Sequence, residues 1–85
     1  MDISVEIKKL RPEAQLPTRG SQQAAGYDLH ACLSSDLAIA PGATVLVGTG
    51  LAFALPQGYF GGVFARSGLS VKQGLRPANC VGVID

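Results

Sequence analysis

Short apolar segments separated by glycine and proline constrain the fold of this chain more than any other feature. Turn residues recur at the spacing of about 8–12 residues that is typical of β-sandwiches and barrels. Ile3, Val5 and Ile7 alternate with polar residues, which indicates a half-buried strand. No segment has a long helical period. The predicted strands are 3–7, 27–32, 37–39, 44–47, 51–55, 59–65 and 80–85, and they predict one all-β domain over residues 1–85.

The composition indicates that the chain has more apolar surface than a domain of 85 residues can bury. Of 85 residues, 47% are hydrophobic and 15% are charged, whereas about 25% are charged in a typical soluble chain. A domain of this size buries only about 60% of its unfolded surface. The last apolar strand runs directly to Asp85 with no polar tail. We therefore expect partner subunits, and a domain that is incomplete at its carboxyl terminus.

Charge and cysteine content exclude several classes of function. The net charge is +1 and there is no basic run, so no nucleic-acid partner is expected. No apolar stretch approaches the roughly 20 residues of a membrane helix, and the amino terminus lacks the pattern of a secretory signal. Cys32 and Cys80 are isolated, which predicts two buried, reduced thiols and a cytoplasmic location, with no protein-built metal cage.

The segment Ala65–Lys72 carries the most distinctive chemistry. It follows an apolar strand and begins with Arg66, Ser67 and Gly68, which predicts a short helical turn. The first N–H groups of such a turn have no intrahelical partner. Together with a guanidinium and a hydroxyl, they would suit phosphate oxygens. On these residues alone, an ordinary surface turn with an exposed arginine is the slightly favoured interpretation.

Three segments, in this order, resemble the first three motifs of the trimeric dUTP pyrophosphatase (dUTPase) family. Residues 25–31 read AGYDLHA and are similar to the first motif. Residues 56–59 and 65–74, PQGY and ARSGLSVKQG, resemble the second, and residues 79–85, NCVGVID, resemble the start of the third. Ser70 stands where Ala is commoner in the family. One such motif would be weak evidence, but three in register are specific.

The resemblance implies a β jelly-roll of the β-clip type, assembled as a homotrimer with active sites at subunit interfaces. It also implies magnesium-dependent hydrolysis of dUTP to dUMP and pyrophosphate. The roles implied by matching position are phosphate binding by Arg66, Ser67 and Gly68, uracil binding by Asn79, a pocket wall of Gly82, Val83 and Ile84, activation of water by Asp85, and indirect, water-mediated metal contact by Asp28.

The chain also departs from the family pattern. In the family, the residue matching Asp85 is followed by an acid, a Tyr that stacks on the deoxyribose and a Gly, and later by a fourth motif and a Gly-rich arm. None of these follows in the 85 residues. The resemblance therefore covers roughly the first half to two-thirds of a family member. We expect little or no turnover from residues 1–85 alone.

Other interpretations of these residues stay open at this point. Without the resemblance, Asn79 is equally a turn residue and Asp85 a solvated acid. Lys72 is expected to be a surface charge, Tyr27 a core residue and His30 a solvent-side residue without a role.

Two competing functions follow from the same pattern. One is a related dCTP deaminase, which would need a catalytic Glu downstream, yet no Glu follows Glu13. The other is a non-catalytic jelly-roll binding protein. Decay of the catalytic residues would be expected in such a protein, but Asp28, Arg66, Ser67, Asn79 and Asp85 are all present.

Overall fold

The computed structural model describes residues 2–85 as two compact units. Glu6–Ala54 forms one, called here the N unit, and Leu55–Asp85 with the residues before Glu6 forms the other, the C unit. The elements are β1 (Glu6–Lys9), β2 (Leu51–Ala54), β3 (Gly61–Val63), α1 (Ser67–Gln73) and β4 (Gly82–Ile84). The strands form two separate two-stranded antiparallel sheets, β1–β2 and β3–β4. The described chain is thus strand-containing, with one short helix.

In the N unit, β1 pairs with β2 so that Ile7 lies opposite Phe53. The long connection between them is held by isolated backbone bonds, including Leu10 N–H to Gly50 O at 2.7 Å and Cys32 N–H to Gly48 O at 2.8 Å. The predicted strand 51–55 is confirmed by β2. The strand predicted at residues 3–7 is instead formed by β1, which begins and ends a few residues later in the chain.

Three other strand predictions for the N unit are not met in the structure. Segments 37–39 and 44–47 form no ladder among the described residues, and segment 27–32 is reduced to a single bridge between Thr18 and Asp28. An alternating apolar pattern favours extended backbone, but it becomes a strand only when a second strand supplies its hydrogen bonds. Segments 37–39 and 44–47 have no such partner in the described chain, and segment 27–32 has one only at Asp28.

A very small core lies where three chain segments of the N unit meet. Ala14 and Cys32 are the only buried hydrophobic residues among residues 2–85, at 3% and 9% exposure. Gly50 lies against both of them with φ +70°, and a Cβ added there would be 2.9 Å from Ala14 Cβ and 3.2 Å from Cys32 Sγ. Only glycine fits both the left-handed backbone and the space.

Replacing Gly50 with alanine should therefore destabilise the N unit strongly. Strain at a positive φ and overpacking together should lower the free energy of unfolding by about 2–4 kcal/mol. The matched control is Gly42→Ala, because Gly42 has φ +77° but nothing within 4 Å of an added Cβ. That change should cost only about 1 kcal/mol. Urea unfolding followed by circular dichroism measures both, and equal effects would contradict the packing argument.

The C unit begins with β3 and returns with β4 after the helix. In the β3–β4 ladder, Gly61 lies opposite Ile84, and Val63 lies opposite Gly82. The two strands occupy the centres of the predicted segments 59–65 and 80–85 and are shorter than predicted, because each has a hydrogen-bonding partner over only three residues.

The predicted helical turn is confirmed as α1. Arg66 precedes it in extended conformation, with φ −73° and ψ 132°, and Ser70 N–H donates the first helical bond to Arg66 O at 2.9 Å. Gly74 ends the helix in the left-handed conformation, with φ 68°. Lys72 lies exposed in the last turn, as predicted, where a cation complements the helix dipole.

Two predictions about individual side chains are wrong. Cys80 is exposed, whereas Cys32 is buried as expected. Cys80 lies in a turn with φ 65°, and Arg76 Nη1 is 3.7 Å from its thiol. Tyr27 is 64% exposed and lies under the Arg19 guanidinium, 5.5 Å from the ring centroid. A cation held over its face gives this ring a surface environment in place of a core position.

None of the helices in the described chain has the length and apolar character to cross a membrane.

His30 is half-buried, and its Nε2 lies 3.1 Å from Thr18 Oγ1.

Candidate functional site

The predicted phosphate segment is fully accessible in the C unit. Arg66, Ser67 and Gly68 are all exposed. The Arg66 guanidinium makes no ion pair or hydrogen bond with any other residue in the range 2–85. A Cβ added at Gly68 would meet nothing within 4 Å, so the space above the start of α1 is open. A cation and a hydroxyl that are not used internally are available to an anion.

The β3–β4 ladder brings the second and third motifs to the same end of the sheet. Arg66 follows the carboxyl end of β3 by three residues, and Asn79 precedes the amino end of β4 by three. Val63 and Gly82 are paired, so both segments leave the sheet at this end. The backbone at Asn79 is held in a tight turn by Val81 N–H to Asn79 O at 2.7 Å. Its exposed side-chain amide makes no hydrogen bond with other described residues.

Asp85 lies at the opposite end of the same ladder. It follows Ile84, which pairs with Gly61, the first residue of β3. Asp85 lies three residue steps after Gly82, which is roughly 10 Å along an extended strand. The structure therefore brings Arg66 and Asn79 to one end of the sheet, and does not bring Asp85 to them.

The three residues predicted as a pocket wall form β4 itself. Gly82 is half-buried beneath Val63, whose Cβ would lie 3.3 Å from an added Cβ. Val83 and Ile84 are 63% and 40% exposed. They line an open strand surface, and a closed pocket is not formed by the C unit alone.

Asp28 belongs to the N unit, where its backbone is paired with Thr18 in both directions, at 2.6 and 3.2 Å. Its side chain is half-buried. Among residues 2–85 no group of three or more His, Cys, Asp or Glu side chains could hold a metal ion. Sequence reasoning missed the pairing with Thr18, for which the only signal was the turn-forming Gly20–Ser21 between the two residues.

The described part of the protein is a small strand-containing fold. It presents an exposed Arg–Ser–Gly turn and a second turn with a free amide, both of which follow from the same end of the β3–β4 ladder. The family model described as "dUTPase" matches residues 12–85. The chain belongs to the dUTPase family.

Curated relatives named "Deoxyuridine 5'-triphosphate nucleotidohydrolase" support this assignment. One from Leptospira interrogans is 47% identical over 83 residues, which cover 98% of this chain and 57% of the relative. One from Syntrophotalea carbinolica is 42% identical, with 98% and 56% covered. One from Rhodococcus erythropolis is 45% identical, with 98% and 49% covered. The chain thus spans about half the length of the curated relatives it matches.

Proposed function

We propose that this protein takes part in the hydrolysis of dUTP to dUMP and pyrophosphate, as a dUTP diphosphatase. The observation that supports this most directly is the juxtaposition of two family motifs at one end of the β3–β4 ladder. There Arg66 and Asn79 are both exposed, and their side chains are not used within the described chain. The same end of the sheet can thus offer both a phosphate-binding cation and a base-binding amide.

Arg66 would hold the triphosphate. Phosphoanhydride hydrolysis needs charge neutralisation and a positioned water, with little covalent work by the protein. A guanidinium donates two parallel hydrogen bonds to phosphate oxygens. Ser67 would add a hydroxyl donor, and Gly68 would let the phosphates approach the backbone at the start of α1, where N–H groups are unpaired.

Asn79 would recognise uracil. An amide side chain offers both a donor and an acceptor, which matches the mixed pattern on the edge of this base. Gly82, Val83 and Ile84 would line the base pocket through their backbone and apolar surface. Their exposure in the C unit implies that the pocket closes only when further protein covers β4.

Asp85 would act as the general base that activates the attacking water. A base must come within hydrogen-bond reach of that water, but Asp85 lies at the far end of the ladder from Arg66. This separation supports a shared site, in which Asp85 of one copy serves a substrate held by Arg66 of another. We therefore include in the proposal a homotrimer of jelly-roll domains to which residues 1–85 contribute.

Magnesium would be held mainly by substrate phosphates and water. The ion is usually bound through one or two carboxylates plus phosphates, and the single half-buried carboxylate of Asp28 fits such a supporting role. When bound, magnesium would neutralise phosphate charge. The free thiols of Cys32 and Cys80 fit action in the reducing cytoplasm.

Nucleotide selectivity tests the proposal. Binding of non-hydrolysable dUTP, dCTP and dTTP analogues is measured by calorimetry in the presence of magnesium. Selective binding of the dUTP analogue is expected. Preference for the cytosine nucleotide would instead indicate a deaminase-like site, and the absence of binding by all three would indicate a non-catalytic protein.

Removing the amide of Asn79 should weaken base recognition. For Asn79→Ala we expect about tenfold weaker binding of the dUTP analogue, because one or two hydrogen bonds to the base are lost. Selectivity over dCTP should fall by a similar factor. Gln73→Ala is the matched control, since Gln73 is an exposed amide at the end of α1. Equal binding by the Asn79 variant and the unchanged chain would contradict the assigned role.

A further inference from the structure

A loop of the N unit is closed by Asp28, the residue to which we assign the magnesium-supporting role. Thr18 and Asp28 form an isolated antiparallel bridge, and the residues between them are called here the 19–27 loop. Asp28 N–H donates to Thr18 O at 2.6 Å, and Thr18 N–H donates to Asp28 O at 3.2 Å. A single bridge orders little chain by itself, because a ladder gains stability from successive pairs and from side chains packed across them. Further contacts are therefore needed to fix this loop.

Arg19 makes two contacts across the 19–27 loop. Its Nη2 donates to Ala24 O at 2.8 Å, and its Cζ lies 5.5 Å from the centroid of the Tyr27 ring. The first is a charge-assisted hydrogen bond and the second is a cation–π contact. One guanidinium can make both, because it donates in its own plane and stacks through its face. Arg19 thus connects the beginning of the loop to its middle and to its end.

The contacts of Arg19 converge on the immediate surroundings of the Asp28 carboxylate. Tyr27 directly precedes Asp28, and Gly20 directly follows Arg19. A Cβ added at Gly20 would be 3.9 Å from Asp28 Oδ2, so the carboxylate lies beside the backbone that Arg19 anchors. Among residues 2–85 this carboxylate forms no ion pair and no side-chain hydrogen bond. It is free to take a ligand, and its direction depends on the backbone around it.

We propose that Arg19 is a positioning residue that fixes the direction of the Asp28 carboxylate. The guanidinium holds Tyr27 and the 19–27 loop in place, and Tyr27 fixes the backbone from which the Asp28 side chain leaves. The 64% exposure of Tyr27 accords with this role, since its ring binds a cation at the surface. The inference rests on the proposed role of Asp28 toward magnesium, and all of its contacts lie within the N unit.

Nuclear magnetic resonance of the nucleotide-free chain tests the proposal. The Hα–Hβ couplings of Asp28 report whether its side chain holds one rotamer. We expect one rotamer in the unchanged chain and averaging among rotamers in Arg19→Ala. The Asp28 amide should also exchange about tenfold faster in the variant, since a hydrogen bond to a charged group is lost. The Cys32 amide, bonded to Gly48 O in the same unit, should exchange as before, because the opening is local.

Conservative variants separate the two contacts of Arg19. Arg19→Lys keeps the cation but loses the planar fork, so it should restore the single rotamer of Asp28 in part. Tyr27→Phe keeps the ring face and should behave as the unchanged chain, whereas Tyr27→Leu should increase the averaging. Arg11→Ala is the matched control, because this exposed arginine of the N unit pairs with Glu13, and it should leave Asp28 unaltered.

A nucleotide arm distinguishes positioning from a merely structural role. The affinity for the non-hydrolysable dUTP analogue is measured by calorimetry with magnesium and with a chelator. In Arg19→Ala the gain in affinity from magnesium should fall by about tenfold, at the lower end of the effect of residues that orient metal ligands. The affinity in the chelator should be unchanged, because Arg66 and Asn79 belong to the C unit.

Four results would overturn the proposal. Asp28 could average among rotamers already in the unchanged chain, a measurement that needs no variant to fold, or it could keep one rotamer in Arg19→Ala. The Cys32 amide could exchange faster by the same factor as that of Asp28, which would show general destabilisation. The gain from magnesium could survive Arg19→Ala. Absence of analogue binding by the unchanged chain would instead refute the proposed function, and the rotamer and exchange measurements would then decide the role of Arg19 by themselves.

Discussion

Asp85→Asn should abolish most dUTP hydrolysis while leaving the nucleotide bound. An amide of the same shape can hydrogen-bond a water but cannot accept its proton. Loss of a general base typically lowers turnover by about 10²- to 10⁴-fold. The release of pyrophosphate from dUTP at saturating magnesium measures the turnover of the variant relative to that of the unchanged 85-residue chain, whose own turnover is expected to be low. Binding of the non-hydrolysable analogue, measured in parallel, should be unchanged or slightly tighter.

The control for this change removes a carboxylate elsewhere. Asp36→Asn makes the same change of charge at an exposed position in the N unit, and it should leave turnover unaltered. If Asp85→Asn retained full turnover, another group would have to activate the water. A loss of binding equal to the loss of turnover would indicate that Asp85 holds substrate and does not act as a base.

Arg66→Ala should weaken binding of the dUTP analogue by roughly 10- to 150-fold. Hydrogen bonds to charged groups contribute about 1.5–3 kcal/mol each, and at least one is lost. Arg66→Lys should give an intermediate loss, because lysine keeps the charge but cannot make the parallel pair of hydrogen bonds. Calorimetric titration measures the affinity of the unchanged chain, Arg66→Ala and Arg66→Lys for the analogue.

The matched control for Arg66 is another exposed arginine. Arg11 carries the same charge in the N unit, where it forms an ion pair with Glu13. Arg11→Ala should leave the affinity for the analogue unchanged. If Arg66→Ala and Arg11→Ala lowered the affinity equally, Arg66 would contribute only through the net charge of the protein. Unchanged affinity in Arg66→Ala would remove it from the phosphate site.

The local parts of the structure were predictable from sequence. The apolar run before Arg66 indicated β3, and Gly74 marked the end of α1, because each depends on neighbouring residues. The exposure of Arg66 also followed from its place after a strand. Burial of Cys32 was predicted from its small apolar character.

The remaining features depend on partners that are distant in sequence. Segment 44–47 has the composition of a strand but no pairing partner in the described chain, and a period of two cannot show whether one exists. Tyr27 was assigned to the core from its apolar ring, but its environment depends on Arg19. The placement of Asp85 far from Arg66 follows from the register of β3 and β4, which the motifs do not encode.

The loop that must close before the strands can pair is shorter for β3–β4 than for β1–β2, and this difference affects the order of folding. The β3–β4 pair encloses 18 residues, between Val63 and Gly82, whereas β1–β2 encloses 41, between Lys9 and Leu51. Each doubling of a loop adds about 0.6 kcal/mol of closure entropy, so the shorter loop gains a modest advantage. Part of it is already ordered by α1. When the whole chain refolds, the segment that carries Arg66 and Asn79 is thus favoured to close first. During synthesis the order is reversed, because β1 and β2 are both complete before β4 is made.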